Sequence, residues 1–177
     1  MRISTLEMEA RLMYYLDINA NLVVPNITSM SGLVMFEADM LSLSKSGYAT
    51  AVEIKVSKAD LKKDLKKQHI THINRMQYGL SFYYKNLKYF YYAVPEYLEE
   101  EALKQIPDFC GLLVLREVEV GHWSATYKTK QIELVREAGI LFKTRWDDKM
   151  RYNLARLGTM RIMSLKYKLL NYKSKLK

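Results

Sequence analysis

The stretch FEADMLSLSKSGYATAVEIKVSKADLKKD, residues 36–64, predicts two β-strands joined by a tight turn and followed by a helix. A three-residue loop of Lys45, Ser46 and Gly47 would put Gly47 at the left-handed position of a bulged hairpin turn. The two strands would then pair symmetrically about Ser46. This turn therefore predicts which residues of the two strands face each other.

The predicted register brings four ionisable side chains to one side of the sheet. Asp39 would face Glu53 and Glu37 would face Lys55, because side chains alternate along a strand. Directly opposed β-carbons lie about 5 Å apart, so the two carboxylates need a neutralising charge. The opposite side would be an apolar core face, made of Phe36, Ala38, Met40, Val52, Ile54 and Val56.

The residues alone leave two interpretations of these charges open. A hard cation such as Mg²⁺ would neutralise Asp39 and Glu53, because it binds one or two carboxylates together with waters and phosphate oxygens. Lys55 could then orient an attacking water, which suits phosphodiester hydrolysis. Alternatively, Glu37 and Lys55 form an ordinary cross-strand ion pair, and Asp39 and Glu53 face solvent.

The positive charge of the chain lies in its last segment. Residues 143–177 contain eleven Lys and Arg against two Asp, an excess equal to the net charge of +9 of the whole chain. Such a segment favours a polyanionic partner, with a solvated helix face as the alternative. The single cysteine excludes an internal disulfide framework. Neither a signal peptide nor a run of ~18 apolar residues is present, so we expect a cytoplasmic protein with no membrane partner.

Periodicity predicts the element order α-β-β-β-α-β-α-β-β-α, which is typical of an α/β fold with a mixed sheet flanked by helices. We expect one domain over residues 1–177, with its core at about 4–120 and a basic C-terminal helix at about 147–177. The predicted elements are a helix at 4–17, an edge strand at 21–28, the hairpin at 33–56, a helix at 58–76, a strand at 88–95, a helix at 96–106, a second hairpin at 111–129 turning about Gly121, and the last helix, weakly interrupted at Gly158.

The helix after the first hairpin carries further candidates. Ser57 would cap its N-terminus. Asp60 and Asp64 lie one turn apart, so ion pairing with neighbouring lysines, or with the helix dipole for Asp60, is the simple interpretation. A supporting role near Lys55 or Lys66 stays open, and Lys66 could reach a phosphate.

Three segments together resemble the MmcB-like DNA-repair endonuclease family of the PD-(D/E)XK nuclease superfamily. They are the Asp39-x13-EIKVSKADLKKDLK run, KYFYYAVPEYL and IPDFCGLLVL. The matching residues are Asp39, Glu53, Lys55, Ser57, Asp60, Asp64 and Lys66, then Ala93-Val94-Pro95, Pro107 and Gly111-Leu112-Leu113. The resemblance covers roughly residues 20–165. It implies a restriction-endonuclease-like core in which Asp39 and Glu53 bind Mg²⁺ and Lys55 is the catalytic lysine.

This chain also departs from the family pattern. Residues 68–86 form an extension, Lys67 stands where a Trp often follows the lysine, and Ala38 replaces the proline before Asp39. In some superfamily enzymes a glutamate of the first helix helps to bind the metal. Glu9 is the candidate here, because Glu7 fits better as a capping residue behind Ser4.

The first hypothesis is an Mg²⁺-dependent DNA endonuclease, with Mn²⁺ able to substitute, acting in DNA repair, recombination or the processing of phage or mobile-element DNA. The Ile54 carbonyl would join Asp39 and Glu53 at the metal, and a homodimer is possible because many such enzymes cut as dimers. The DNA backbone would be bound by Lys66, Lys67, Arg151, Arg156, Arg161, Lys166 and Lys168. The rival hypotheses are a catalytically silent nucleic-acid-binding protein on the same fold, and a protein whose basic helix docks on an acidic partner.

Overall fold

A computed structural model describes residues 3–64, 66, 83–122 and 125–175. Within these residues, six strands form one mixed sheet whose spatial order follows the chain. β3 pairs parallel with β4 and β4 with β5, and the other neighbours are antiparallel. The predicted mixed α/β fold is confirmed. The strands are β1 (Leu22–Ile27), β2 (Ala38–Leu43), β3 (Ala49–Ile54), β4 (Tyr89–Pro95), β5 (Gly111–His122) and β6 (Ala125–Arg136).

The described helices are α1 (Thr5–Tyr15), α2 (Lys58–Asp64), α3 (Glu99–Gln105) and α4 (Asp148–Lys175). Both predicted capping residues are in place: Ser4 Oγ accepts the Glu7 N–H and Ser57 Oγ accepts the Asp60 N–H, each at 3.2 Å. The predicted continuation of α2 to residue 76, like most of the 68–86 extension, lies outside the described residues. No helix in the described part of the chain is long and apolar enough to cross a membrane.

The first hairpin has the predicted turn and register. Gly47 has a φ of +86°, and its N–H donates to the Ser44 carbonyl at 2.9 Å. Met40 pairs with Val52 and Leu43 with Ala49, which is the pairing symmetric about Ser46. β1 lies at the edge of the sheet, as its Pro25 predicts.

Both faces of the sheet are buried, so the prediction of one apolar face on this hairpin is wrong in part. Met40, Val52 and Ile54 pack with Met8 and Leu12 of α1. On the other face a second apolar cluster includes residues of α2, α3 and α4, and Phe36 and Ala38 belong to it. The reason is the position of β3 inside the sheet beside parallel strands, which are covered on both faces. Residues of this second cluster include Leu41, Leu43, Ala51, Leu61, Phe90, Tyr92, Ala102, Trp146 and Leu154.

Two glycines do not interrupt their elements as predicted. α4 is continuous through Gly158, where a Cβ would lie 3.3 Å from Val24 Cγ2, so the glycine lets the helix approach β1 closely. β5 continues through Gly121 to His122, and Gly121 pairs with Thr126. The second hairpin therefore does not turn at Gly121, and residues 123–124 lie outside the described residues.

Candidate functional site

One buried lysine lies among three carboxylates at the end of the first hairpin. Lys55 Nζ is 2.9 Å from Glu53 Oε2, 3.3 Å from Asp64 Oδ1 and 3.8 Å from Asp39 Oδ2. The side chains of Lys55, Glu53 and Asp64 are 6%, 3% and 1% exposed, whereas that of Asp39 is 33% exposed. This carboxylate–lysine cluster thus opens to solvent on the Asp39 side.

The hairpin register explains how the cluster forms. Asp39 lies on β2 next to the Met40–Val52 pair, and Glu53 follows Val52 on β3. The Ile54 N–H donates a hydrogen bond to Asp39 Oδ2 at 2.7 Å, so Ile54 contacts the predicted metal-binding carboxylate through its backbone nitrogen. Asp39, Glu53 and Lys55 therefore come together as the sequence predicts.

Asp64 and Tyr92 complete the cluster from outside the hairpin. Asp64 lies at the end of α2, and its Oδ2 accepts a hydrogen bond from the Tyr92 hydroxyl at 2.8 Å. Tyr92 is the neighbour of Glu53 in the parallel pairing of β3 with β4. Sequence reasoning missed Tyr92, because an aromatic run such as Tyr89–Tyr92 is more often core or base-stacking surface. The sequence left open whether Asp64 lies near Lys55 or Lys66, and in the structure it lies beside Lys55.

The cluster has three carboxylates and one ammonium group, so one further positive charge would reduce its excess of negative charge. Burial raises the pKa of Glu53 to about 8; Lys55 opposes this shift, and Asp39 and Asp64 add to it. Although burial lowers the pKa of Lys55, the carboxylates of Glu53 and Asp64 raise it above its usual value. Glu53 Oε1 is buried and has no hydrogen-bond partner among the described residues. A proton or a cation can supply the missing charge.

Glu9 of α1 lies on the open side of the cluster. Burial raises the pKa of its carboxyl, the charge of Asp39 adds to the shift, and a hydrogen bond from the Asn26 side chain opposes it. Glu7 instead forms an ion pair with Lys130 at 2.7 Å. Glu9 is therefore the first-helix glutamate that faces Asp39, as the sequence favours, and Asn26 is a neighbour that sequence reasoning missed.

A groove of about 420 Å³ begins beside Glu9 and runs between α1, β1 and α4. Arg161 and Lys168 of α4 form part of its wall. The Arg161 guanidinium donates to the Asn26 carbonyl oxygen, which ties α4 to the end of β1. Two of the basic residues proposed from the sequence thus lie in the same groove as Glu9, the glutamate whose charge interacts with Asp39.

The other basic candidates are dispersed. Arg151 contacts the hairpin turn at Gly47, while Arg156 and Lys166 are exposed and lie on other sides of α4, since a helix turns about 100° per residue. Lys66 is exposed, and Lys67 lies outside the described residues. The five candidate cations of α4 are therefore spaced around the helix and do not share one face.

The predicted ion pair between Glu37 and Lys55 is also wrong. Glu37 is exposed and precedes β2, which begins at Ala38, so the strand alternation that would aim it at Lys55 does not apply. Lys55 pairs instead with the three carboxylates of the cluster. Asp60 stays in the first turn of α2, where its charge suits the helix dipole.

The donor set fits a metal bound through two carboxylates. In residues 3–64, 66, 83–122 and 125–175, no three His, Cys, Asp or Glu side chains are arranged as a complete metal site. Mg²⁺ does not need such a set, because it keeps several waters and takes one or two carboxylates. Two carboxylates here are suited to that role. Glu53 Oε1 is buried and has no hydrogen-bond partner among the described residues, and the carboxylate of Asp39 is partly exposed.

Comparison with known proteins shows a shared fold. No family model and no curated protein matches this sequence. The chain is similar to the structure of a protein of unknown function from Silicibacter pomeroyi, with 18% identity and a TM-score of 0.56. The match covers 98% of this chain and 96% of that one. At this identity the likeness concerns the fold alone.

Proposed function

We propose that this protein is a divalent-metal-dependent endonuclease that hydrolyses phosphodiester bonds of DNA. The observation that carries the proposal is the juxtaposition of Asp39, Glu53 and Lys55 at the end of the first hairpin, with one buried carboxylate oxygen that has no partner among the described residues. The resemblance to MmcB-like nucleases assigns the same three residues to metal binding and catalysis. Residue chemistry and sequence motif therefore favour the same reaction.

Each residue of the cluster has a defined part in this proposal. Asp39 and Glu53 would hold Mg²⁺ or Mn²⁺, which supplies an acidified water and stabilises charge on the phosphate. Lys55 would orient the water or stabilise the developing negative charge. Asp64 and the Tyr92 hydroxyl hold the Lys55 ammonium in place, and Glu9 adds a carboxylate beside Asp39.

The substrate would reach the cluster from the groove. Glu9, whose charge interacts with Asp39, marks its acidic side, and Arg161 and Lys168 would supply cations for the flanking phosphates. Phosphate contacts of this kind position the strand without reading its bases.

A second candidate is a catalytically silent nucleic-acid-binding protein. The observation that favours it is the burial of Glu53, Lys55 and Asp64, whose charges already pair with one another. Buried ion clusters can serve structure alone. This candidate predicts salt-dependent DNA binding of equal strength with and without divalent metal, and no cleavage.

The deciding experiment measures cleavage of supercoiled, single-stranded and branched DNA with Mg²⁺ or Mn²⁺. We expect cleavage by the native protein and a loss of about 100-fold or more in Lys55→Ala. Lys58→Ala is the matched control, since Lys58 is 63% exposed and pairs only with Glu101 among the described residues. This control should keep full activity.

Lys55→Ala leaves buried carboxylates without their partner, so it could unfold the protein. Asp39→Asn is the second variant, because Asp39 is partly exposed and an asparagine oxygen can still accept the Ile54 N–H. Circular dichroism melting checks both variants for folding. Absence of cleavage by the native protein on every DNA form rules the endonuclease out, and full activity of folded Asp39→Asn rules out the metal-binding role of Asp39.

A further inference from the structure

A group of cations surrounds Tyr48 at the other end of β3, next to the hairpin turn. Lys88 Nζ lies 4.4 Å from the centroid of the Tyr48 ring, and Arg145 Cζ lies 5.3 Å from it. Arg145 Nε also donates a hydrogen bond to the Tyr48 hydroxyl oxygen at 3.2 Å. We call Tyr48, Lys88 and Arg145, together with the flanking Lys143 and Arg151, the hairpin-tip patch.

The cations of the patch come from separate parts of the chain. Lys88 precedes β4, Lys143 and Arg145 lie in the segment before α4, and Arg151 lies in the first turns of α4 with its guanidinium against Gly47. Lys143 is close enough to Tyr48 for its charge, with the Arg145 hydrogen bond and the charge of Lys88, to lower the pKa of the tyrosine hydroxyl. The fold thus brings Lys88, Lys143 and Arg145 close to one ring, with Arg151 at the adjacent hairpin turn.

The four cations of the patch form no ion pair with Asp or Glu in the part of the chain that the structure describes, and Asp147 nearby accepts the Met150 N–H as a helix cap. Some cations elsewhere are closely paired. Arg116 contacts three glutamates, and Lys58 and Lys62 both contact Glu101. The hairpin-tip patch is therefore an unbalanced positive surface.

The ring of Tyr48 keeps the patch in order. A cation over an aromatic face is attracted to the ring, which opposes the repulsion between Lys88 and Arg145. The hydrogen bond to the hydroxyl fixes Arg145 further. Cations held in advance lose less side-chain entropy when an anion binds.

We propose that the hairpin-tip patch is a second binding site for the phosphate backbone of nucleic acid, remote from the carboxylate–lysine cluster. Backbone binding fits better than base stacking, because cations cover the Tyr48 ring. Glu53 lies five residues after Tyr48, a distance of roughly 17 Å at the rise of a strand. A nucleic-acid strand spans that distance in about five steps of ~3.4 Å.

α4 links the two ends of the molecule along this path. Its Arg151 contacts the hairpin turn, and its Arg161 reaches Asn26 beside the groove. A polyanion with regularly spaced charges can therefore engage both ends at once, which a single small anion cannot do. The inference takes the nature of the ligand from the proposed function but does not need cleavage.

The test measures duplex DNA binding by fluorescence anisotropy in EDTA over a range of salt concentrations. In Lys88→Ala/Arg145→Ala we expect the Kd to rise roughly 10-fold and the slope of log K against log salt to fall by about 1–2. Lys58→Ala/Lys104→Ala is the matched control, because it removes the same charge from sites 63% and 75% exposed. This control should keep the native slope, and equal slopes in the two double variants overturn the proposal.

The role of Tyr48 as a positioning residue has its own readout. Tyr48→Leu should raise the Kd while the salt slope stays near the native value, since the cations remain but lose their support. Tyr48→Phe keeps the ring but loses the hydrogen bond from Arg145, so its Kd should lie between that of the native protein and that of Tyr48→Leu. An unchanged Kd in Tyr48→Leu contradicts the ordering of the patch by the ring.

Duplex length and an acidic polypeptide provide two further controls. The native protein should bind a duplex that reaches both the cluster and the patch more tightly than one of about five base pairs, and this gain in affinity with length should be smaller in the double variant. If polyglutamate of equal charge displaces the DNA as well as unlabelled duplex does, the site is for acidic proteins and the proposal fails. All binding is measured in EDTA, so it is independent of cleavage. An unchanged Kd and salt slope in Lys88→Ala/Arg145→Ala, with intact cleavage by the native protein, rejects this inference alone. Patch-dependent binding without any cleavage rejects only the endonuclease.

Discussion

Buried side chains hold the Lys55 ammonium, whereas a lysine at the end of a strand is usually exposed to solvent. Its flexible stem ends between the buried carboxylates of Glu53 and Asp64, and the Tyr92 hydroxyl fixes Asp64 in turn. A side chain fixed in this way has already lost its rotamer freedom in the folded protein. An ammonium with a fixed position suits a catalytic or ion-pairing role better than a mobile surface lysine does.

The proton on Glu53 makes stability depend on pH. Its pKa is about 8 in the folded protein against 4.5 for an ordinary glutamate, so between these values the folded state binds more protons than the unfolded state. The free energy of unfolding should therefore fall as the pH rises from about 5 to 8, by at most about 1.4 kcal/mol per pH unit. Urea unfolding at a series of pH values in EDTA measures this slope.

Glu53→Gln provides the control for the titration. Glutamine keeps the size of the side chain and cannot titrate, so the slope over this pH range should become flatter. Mg²⁺ should stabilise the native protein more at pH 8 than at pH 6, because the metal competes with the proton. If the unfolding free energy depends on pH in the same way in Glu53→Gln and in the native protein, groups other than Glu53 cause that dependence.

At the scale of elements, the first hairpin positions both charged sites. Its turn sets the register that brings Asp39 and Glu53 together at one end, and it places Tyr48 in the hairpin-tip patch at the other. The turn depends on Gly47, whose φ of +86° is strained for any residue with a side chain. A Cβ there would also lie 2.5 Å from Arg151 Nη2.

Gly47→Ala should therefore lower the free energy of unfolding by about 1–2 kcal/mol. Gly121→Ala is the matched control, because Gly121 lies in β5 and a Cβ there meets no atom within 4 Å. The control should differ from the native protein by no more than about 0.5 kcal/mol. Urea unfolding compares the two, and equal stabilities would contradict the assigned role of the turn.

At the scale of the whole molecule, α4 is attached through its first half. Leu154 is fully buried in the cluster on the α2 side of the sheet, and Gly158 lies against Val24 of β1. Beyond Arg161 the large apolar side chains are exposed, Leu169 to 61%. The first half of the helix thus contributes to the core, and the second half projects from it.

Two leucines of the same helix test this division. Leu154→Ala should lower the free energy of unfolding by about 2–5 kcal/mol, because it leaves a cavity in a closed core. Leu169→Ala should change it by less than about 0.5 kcal/mol. Thermal or urea unfolding measures both, and a large effect of Leu169→Ala would mean that the second half of α4 packs against something.

Sequence reasoning succeeded where structure depends on near neighbours. The Lys45-Ser46-Gly47 turn, the pairing of Met40 with Val52 and the caps at Ser4 and Ser57 each depend on a few consecutive residues. It failed at Glu37 and at Gly121. There the outcome depends on where a strand begins or ends.

By itself, the sequence determined the mixed α/β class, the hairpin register and the meeting of Asp39, Glu53 and Lys55. Only the tertiary structure decided that Asp64 and Tyr92 hold Lys55, that Glu9 faces Asp39, and that cations gather around Tyr48. The physical reason is the range of the contacts. A hairpin register is fixed by its own turn, whereas β3 meets β4, α2 and α4 through packing between segments that are far apart in the chain.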